Sequence, residues 1–187
     1  MKIILASKSP RRTELLNQIG IKHEVIPSTV EEIIKTHLSP QEIVEDLSLQ
    51  KAMDVFNKYP NNIVIGADTI VVINNKILGK PKDYNDAFNM LKELQDNVHQ
   101  VITGVTIISD NKINTFSEVA EVIFYPMSDE EIDEYINTKD VYDKAGSYAI
   151  QGMCAKHIKA IRGDYNTIVG LPISRIYQIL KTINKTK

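Results

Sequence analysis

Residues 62–80, NIVIGADTIVVINNKILGK, decide the fold class. Ile63 to Ile65 form one apolar run and Ile70 to Ile73 another, the pattern of strands buried on both faces. Asp68 and Thr69 interrupt them, so the spacing predicts strand, brief break, strand. Asn74-Asn75 reads as a two-residue hairpin turn, since asparagine tolerates positive φ, and Lys76-Ile77-Leu78 as a short return strand. A hairpin at this point excludes a purely parallel sheet.

The flanks supply the rest of the pattern. IILA (3–6) predicts a strand, RTELLNQIG (12–20) a helix with Leu15, Leu16 and Ile19 on one stripe, and HEVIPS (23–28) a second strand. After the polar segment 29–39, Ser39 and Pro40 open a helix that carries Ile43, Leu47 and Ala52 at helical intervals. Downstream, Asp83 caps a helix with the stripe Ala87, Met90, Leu91 and Leu94. QVITGVTIIS and INTFSEVAEVIFYP predict a long antiparallel pair around Asp110-Asn111, and Ser128 with Glu131 forms a capping box. A glycine-punctuated region (145–172) leads into a last helix carrying Ile173, Ile176, Ile179, Leu180 and Ile183. Helices alternating with strands, some joined by hairpins, predict an α/β fold with a mixed sheet.

The 187 residues suit one domain, or two small lobes sharing one core. A net charge of −2 gives no global basic field for nucleic acid or membrane surfaces. The single Cys154 excludes an internal disulfide, is expected to be a small buried apolar residue, and points to a reducing compartment. With no leader-like start and no apolar run near the roughly 20 residues of a membrane span, the expected location is cytoplasmic.

Two standard phosphate loops, GxxxxGK[ST] and GxGxxG, are absent from the sequence, and its four histidines lack zinc-site spacing. SPRR (9–12) is the unusual element. Ser9 and Pro10 start a helix, which places Arg11 and Arg12 in its first turn, where the dipole is already positive. Guanidinium forks, backbone N–H groups and the dipole together make an anion site. Lys8, Ser7 and Ser9 add donors; the alternative is that both arginines face water or pair with Glu31 and Glu32. Asp68 is either a turn residue or a functional acid that binds a divalent cation or accepts a proton from water. Lys80, before Pro81, and Gln151, whose amide both donates and accepts, each carry a structural alternative as well. Together these residues suit a metal-assisted hydrolase acting on a phosphate anhydride. Nucleic-acid binding fits poorly, because SKSPRR is the one basic cluster available for phosphate contacts.

LASKSPRRTELL, VEE, LSLQKA, GADTIVV, GKPKD, HQVITGV, DKAGSYAIQG and GDYNTIVGLPI, in this order from residue 3 to about 175, resemble the Maf family of nucleotide pyrophosphatases. The resemblance implies a single Maf-like domain over residues 1–187, an ITPase-like mixed twisted sheet flanked by helices with two lobes around a central cleft. It also implies cleavage of a nucleoside triphosphate to monophosphate and pyrophosphate, a house-cleaning role, a Mg²⁺ or Mn²⁺ cofactor, and often a homodimer. Ser7, Arg11 and Arg12 match the phosphate-binding motif. Glu32 matches the glutamate of an acidic pair, with Glu31 where aspartate is more usual, and Lys51 matches the lysine of LAxxKA, with Ser48 in place of alanine. Asp68 matches the proton-accepting catalytic acid, Lys80 the lysine that neutralises developing phosphate charge, and Asp68 with Glu32 the candidate metal ligands. Arg11, Thr69 and Gln151 match the positions tied to substrate choice and resemble the dTTP and UTP branch rather than the 7-methyl-GTP branch. Met153, Cys154 and the segment TKDVY depart from the family pattern. A nucleotide-binding regulator of septum formation, without turnover, is the alternative that the same resemblance carries.

Overall fold

The chain, seen in a computed structural model that describes residues 1–110 and 112–185, alternates helices and strands. Its elements are β1 (Ile3–Leu5), α1 (Pro10–Gln18), β2 (Glu24–Val25), α2 (Pro40–Lys58), β3 (Ile63–Ile73), β4 (Lys76–Leu78) and α3 (Tyr84–Leu94). They continue with β5 (Val98–Ser109), β6 (Lys112–Phe124), α4 (Asp129–Asn137), β7 (Ile158–Arg162), α5 (Tyr165–Val169) and α6 (Ile173–Lys185). The strands form a seven-stranded sheet in the order β2-β1-β3-β5-β6-β7, with β4 paired to β3. β1 is parallel to β2 and β3, whereas β3–β4 and β6–β7 are antiparallel, so the sheet is mixed as predicted.

The hairpin after β3 turns on Asn74 (φ 48°) and Asn75 (φ 61°), with Ile73 opposite Lys76. Positive φ at both central residues matches the right-handed twist of the strands. The predicted break at Asp68-Thr69 does not occur, and β3 runs unbroken through both residues. Backbone pairing is indifferent to a carboxylate whose charge is met elsewhere. β2 has two residues rather than six: the Ile26 N–H still donates to the Leu5 carbonyl, but Pro27 has no N–H to continue the ladder. The expected turn at Asp110-Asn111 includes Asn111, which lies outside the described residues.

Contacts divide the chain into two compact units. The first comprises residues 1–68, 103–118 and the chain from Gly170 onward, with Ile4, Ala52, Val55, Val64 and Ile108 in its core. Here α2 begins at a full capping box of Ser39 and Glu42 and lies against β3 and β5. Two glycines permit that approach. A Cβ on Gly66 would sit 2.8 Å from the Ala52 nitrogen, and one on Gly104 would strike the Val44 carbonyl. Ser48, the departure from LAxxKA, is fully buried, but its hydroxyl donates to the Glu45 carbonyl (2.8 Å) and shares a hydrogen bond with Thr106 (2.8 Å). A buried hydroxyl with both bonds made is no burden on the core.

The second unit comprises residues 69–102 and 119–169, packed around Leu91, Leu94, Val122, Phe124, Ile132 and Tyr135. Asp83 caps α3 by accepting from the Asp86 N–H (2.9 Å), and Ser128 with Glu131 boxes α4, both as predicted. His99 is buried edge-on to Phe124 and Tyr148, its Nε2 2.7 Å from the Tyr148 hydroxyl and its Nδ1 without a hydrogen-bond partner. Burial disfavours the imidazolium and lowers the His99 pKa from 6.5 to about 4. The unfolded chain therefore binds more protons than the fold between pH 6.5 and 4. Stability contributed by neutral His99 is complete above that window and is lost as the pH falls through it, by about 2 kcal/mol at pH 5. Thermal melts at pH 7.5 and pH 5 should differ by about 4–8 °C on this account. A His99→Gln variant with the same difference would show that other groups carry it.

Candidate active site

The strand-to-helix turn after β1 is built as the sequence suggested, with one exchange of roles. Ser9 occupies the cap position before Pro10, but its side chain makes no capping bond. The local acceptor is instead Ser7, which is buried: its Oγ accepts from the Ser9 N–H (3.2 Å) and from Arg12 Nη1 (3.0 Å). Arg12 Nη1 also donates to the Ala67 carbonyl (2.8 Å), and Arg12 Nε donates to the Gly170 carbonyl (2.8 Å). Arg12 thus does not simply face water. It ties the first turn of α1 to the middle of β3 and to Gly170, ahead of α6. Burial lowers the pKa of its guanidinium, with Asp68 and Glu32 acting in the opposite direction and Arg11 adding to the lowering. That balance places these charges in one electrostatic neighbourhood.

The second half of the site comes from α2 and β3. Because Gly66 lets α2 approach, Lys51 on that helix reaches the strand two residues further on. Lys51 Nζ donates to Asp68 Oδ1 at 2.5 Å and lies 3.1 Å from Glu32 Oε1. Lys51 and Asp68 are mostly buried, while Glu32 stands on the exposed segment before α2. Two carboxylates therefore converge on one ammonium, and one of them is attached to the residue after the carbonyl that Arg12 holds. Ser7, Arg12, Glu32, Lys51 and Asp68, which the sequence singled out separately, form one cluster. Arg11 lies beside Arg12 in the first turn of α1, half-buried.

Thr69, Lys80 and Gln151 belong to the second unit. Lys80 and Gln151 are exposed and Thr69 is half-buried. The segments carrying Lys80 and Gln151 are linked by a backbone bond from the Gly146 N–H to the Gly79 carbonyl (3.0 Å). Gly146 (φ 69°) also lies against Val71, where a Cβ would come within 3.0 Å of a methyl group. The TKDVY departure contributes here. Asp140 takes a hydrogen bond from the buried Lys144 (2.6 Å) and fills the space beside Gly152, next to Gln151. Sequence reading missed Lys144 and Asp140, because an i,i+4 acid and lysine in a polar stretch carry no sign of burial. Cys154 is fully buried as expected, and burial pushes its thiol up to about 12, which rules out a thiolate nucleophile at neutral pH.

Among the described residues, no group of three or more His, Cys, Asp or Glu side chains could hold a metal alone. Glu32 and Asp68 are two hard oxygen donors at one point. An ion held there would complete its shell with phosphate oxygens and water, the usual habit of Mg²⁺ at nucleotide sites.

The family model described as Maf-like protein matches residues 2–183. A dTTP/UTP pyrophosphatase of Thermoanaerobacter sp. (strain X514) is 54% identical over 184 residues, covering 97% of this chain and 96% of that protein. One from Bacillus anthracis is 50% identical over 183 residues, covering 98% and 96%. Among solved structures, the Staphylococcus aureus Ham1 protein aligns with a TM-score of 0.48 and 18% identity, over 66% of this chain and 72% of that one.

Proposed function

This chain belongs to the Maf family, and on that premise we propose that it hydrolyses dTTP and UTP, with modified pyrimidine triphosphates as further substrates, to the monophosphate and pyrophosphate. The observation that carries the reading is the Glu32–Lys51–Asp68 cluster at the middle of β3, beside the Ala67 carbonyl that Arg12 holds. An anion-binding turn and a carboxylate able to take a proton from water are the two parts this hydrolysis needs.

In the proposed mechanism Asp68 accepts a proton from the water that attacks the α-phosphorus. The new P–O bond forms as the bond to the bridging oxygen breaks, and pyrophosphate leaves with the electron pair. Arg11 and the first turn of α1 bind phosphate oxygens, with Ser7 and Arg12 fixing the shape of that turn. Lys51 holds Asp68 in place and offers a positive charge to the phosphates. Lys80 is assigned to charge developing on the leaving group, and Thr69 and Gln151 to the choice of base. A divalent cation, Mg²⁺ or Mn²⁺, would be held by Asp68 and Glu32 and would supply Lewis-acid polarisation of the phosphates. A house-cleaning role in the cytoplasm, as a homodimer and without nucleic-acid or membrane partners, accompanies this reading. No helix among the described residues is long and apolar enough to cross a membrane.

The test is a panel of common and modified triphosphates under multiple turnover with Mg²⁺ or Mn²⁺, with products identified. Monophosphate plus pyrophosphate from dTTP and UTP is the expected result. Nucleotide bound without pyrophosphate release would overturn it in favour of a regulator. Gln151→Glu should lower kcat/KM for dTTP and UTP about tenfold more than for other triphosphates, because the exchange removes a donor and adds charge at the base edge. An equal loss across bases would take Gln151 away from the base.

A further inference from the structure

Glu32 lies on a segment without regular structure, residues 28–35, and the way that segment is held identifies a residue with no part in the mechanism so far. Apolar burial does not hold it. Val30, Ile33 and Ile34 are 38%, 66% and 59% exposed. A groove of about 470 Å³, lined in part by Val30, Ile33 and Met53, opens beside it.

Polar bonds to one face of α2 take the place of packing. Asp46, Gln50 and Asp54 recur every four residues and so lie on one side of the helix. Asp54 accepts from the Ser28 hydroxyl (2.9 Å) and the Thr29 N–H (2.8 Å), and Asp46 accepts from Lys35 Nζ (2.6 Å). Gln50, between them, grips a backbone. Its Oε1 accepts from the Ile33 N–H (3.0 Å) and its Nε2 donates to the Ile33 carbonyl (2.9 Å). The second Nε2 hydrogen goes to Asp46 Oδ2 (2.6 Å). That carboxylate accepts only, so it fixes which end of the amide faces it and leaves the oxygen for the Ile33 N–H. Two consecutive residues of α2 thus hold two consecutive residues of the segment: Gln50 holds Ile33 by its backbone, and Lys51 holds Glu32 by its carboxylate.

We infer that Gln50 is a positioning residue, whose two-point grip on the Ile33 backbone keeps Glu32 in register with Lys51 and Asp68. The inference rests on the reading of Glu32 as part of the active site. A carboxylate on an unpacked segment needs such a grip, because small displacements at a reacting centre cost rate steeply.

The test compares wild type with Gln50→Ala and Gln50→Glu in the full chain. Hydrogen–deuterium exchange over residues 28–35 should accelerate about tenfold in Gln50→Ala, with the melting temperature within about 2 °C of wild type, as a solvent-side truncation allows. Turnover of dTTP should fall about tenfold with KM within about twofold, since the phosphate-binding turn of α1 is untouched. Gln50→Glu keeps the size but cannot donate to Ile33 and sets two carboxylates together, so it should match Gln50→Ala rather than wild type. Unchanged exchange over 28–35, unchanged kcat in an active enzyme, or a wild-type-like Gln50→Glu would each overturn the inference. If wild type turns over no triphosphate, the proposed function falls, while the exchange measurement still decides whether Gln50 holds the segment.

Discussion

Asp68→Asn should lower the turnover of dTTP by about 10²–10⁴-fold, the usual range for losing a general base. The variant is nearly isosteric, and its amide oxygen can still accept from Lys51, which in wild type donates to Asp68 Oδ1 at 2.5 Å. Lys51 keeps Glu32 as a second partner at 3.1 Å, so the substitution does not leave a buried ammonium without a counter-charge. Melting temperature and triphosphate affinity should therefore stay close to wild type, and the loss should fall in kcat. That pattern marks an interaction made in the transition state rather than in the ground state. Steady-state kinetics with a parallel thermal melt separates the possibilities. Unchanged kcat would remove Asp68 from proton transfer, and a fall in kcat matched by a collapse in melting temperature would make Asp68 a structural partner of Lys51.

The same residue shows where sequence reading succeeds and where it stops. Asp68 stands out as a charge embedded in an apolar run, and that is enough to nominate it. What a run of letters does not carry is the partner 17 residues away that lets β3 continue through it. Local pattern alone therefore predicts a break there. The Asn74-Asn75 turn is legible because its cause is local: two residues that accept positive φ. The helix starts at Ser39, Asp83 and Ser128 are legible for the same reason, since a cap and its N–H lie within three residues. β7 and the five-residue α5 do not stand out within the glycine-punctuated region, because their pairing and packing depend on distant elements. In the candidate site, SPRR announces the start of α1 and its cationic first turn through helix-start signals alone. The acceptors that Arg12 uses are invisible, because two of them are backbone carbonyls, 55 and 158 residues away. Asp46, Gln50 and Asp54 look like an ordinary solvated helix face. Only the segment 11–26 residues upstream gives them a purpose.

Arg12→Ala should destabilise the protein before any nucleotide is added, and this separates its two candidate roles. As a phosphate ligand alone, Arg12 would raise KM when removed and leave the unliganded fold intact. Its Nε and Nη1 already bond to Gly170, Ser7 and Ala67, so the guanidinium cannot present its whole fork to a phosphate without breaking those bonds. Removing it leaves two carbonyls and a hydroxyl short of a charged donor. Charged hydrogen bonds are each worth about 1.5–3 kcal/mol, and relaxation with water entry recovers part, so a net loss of about 3 kcal/mol is expected. For a chain of this size that is a fall of about 6–12 °C in melting temperature. Turnover should fall as well, because the Ala67 carbonyl precedes Asp68 directly and its restraint fixes where that carboxylate points. Arg12→Lys makes the test sharper. It keeps the charge that a phosphate would feel, but a single ammonium cannot reproduce a planar fork directed at three acceptors. Arg12→Lys should therefore melt well below wild type, near Arg12→Ala, in the absence of nucleotide. If Arg12→Lys matches wild type in stability and differs only in KM, Arg12 serves the substrate's phosphates and not the strand that carries Asp68.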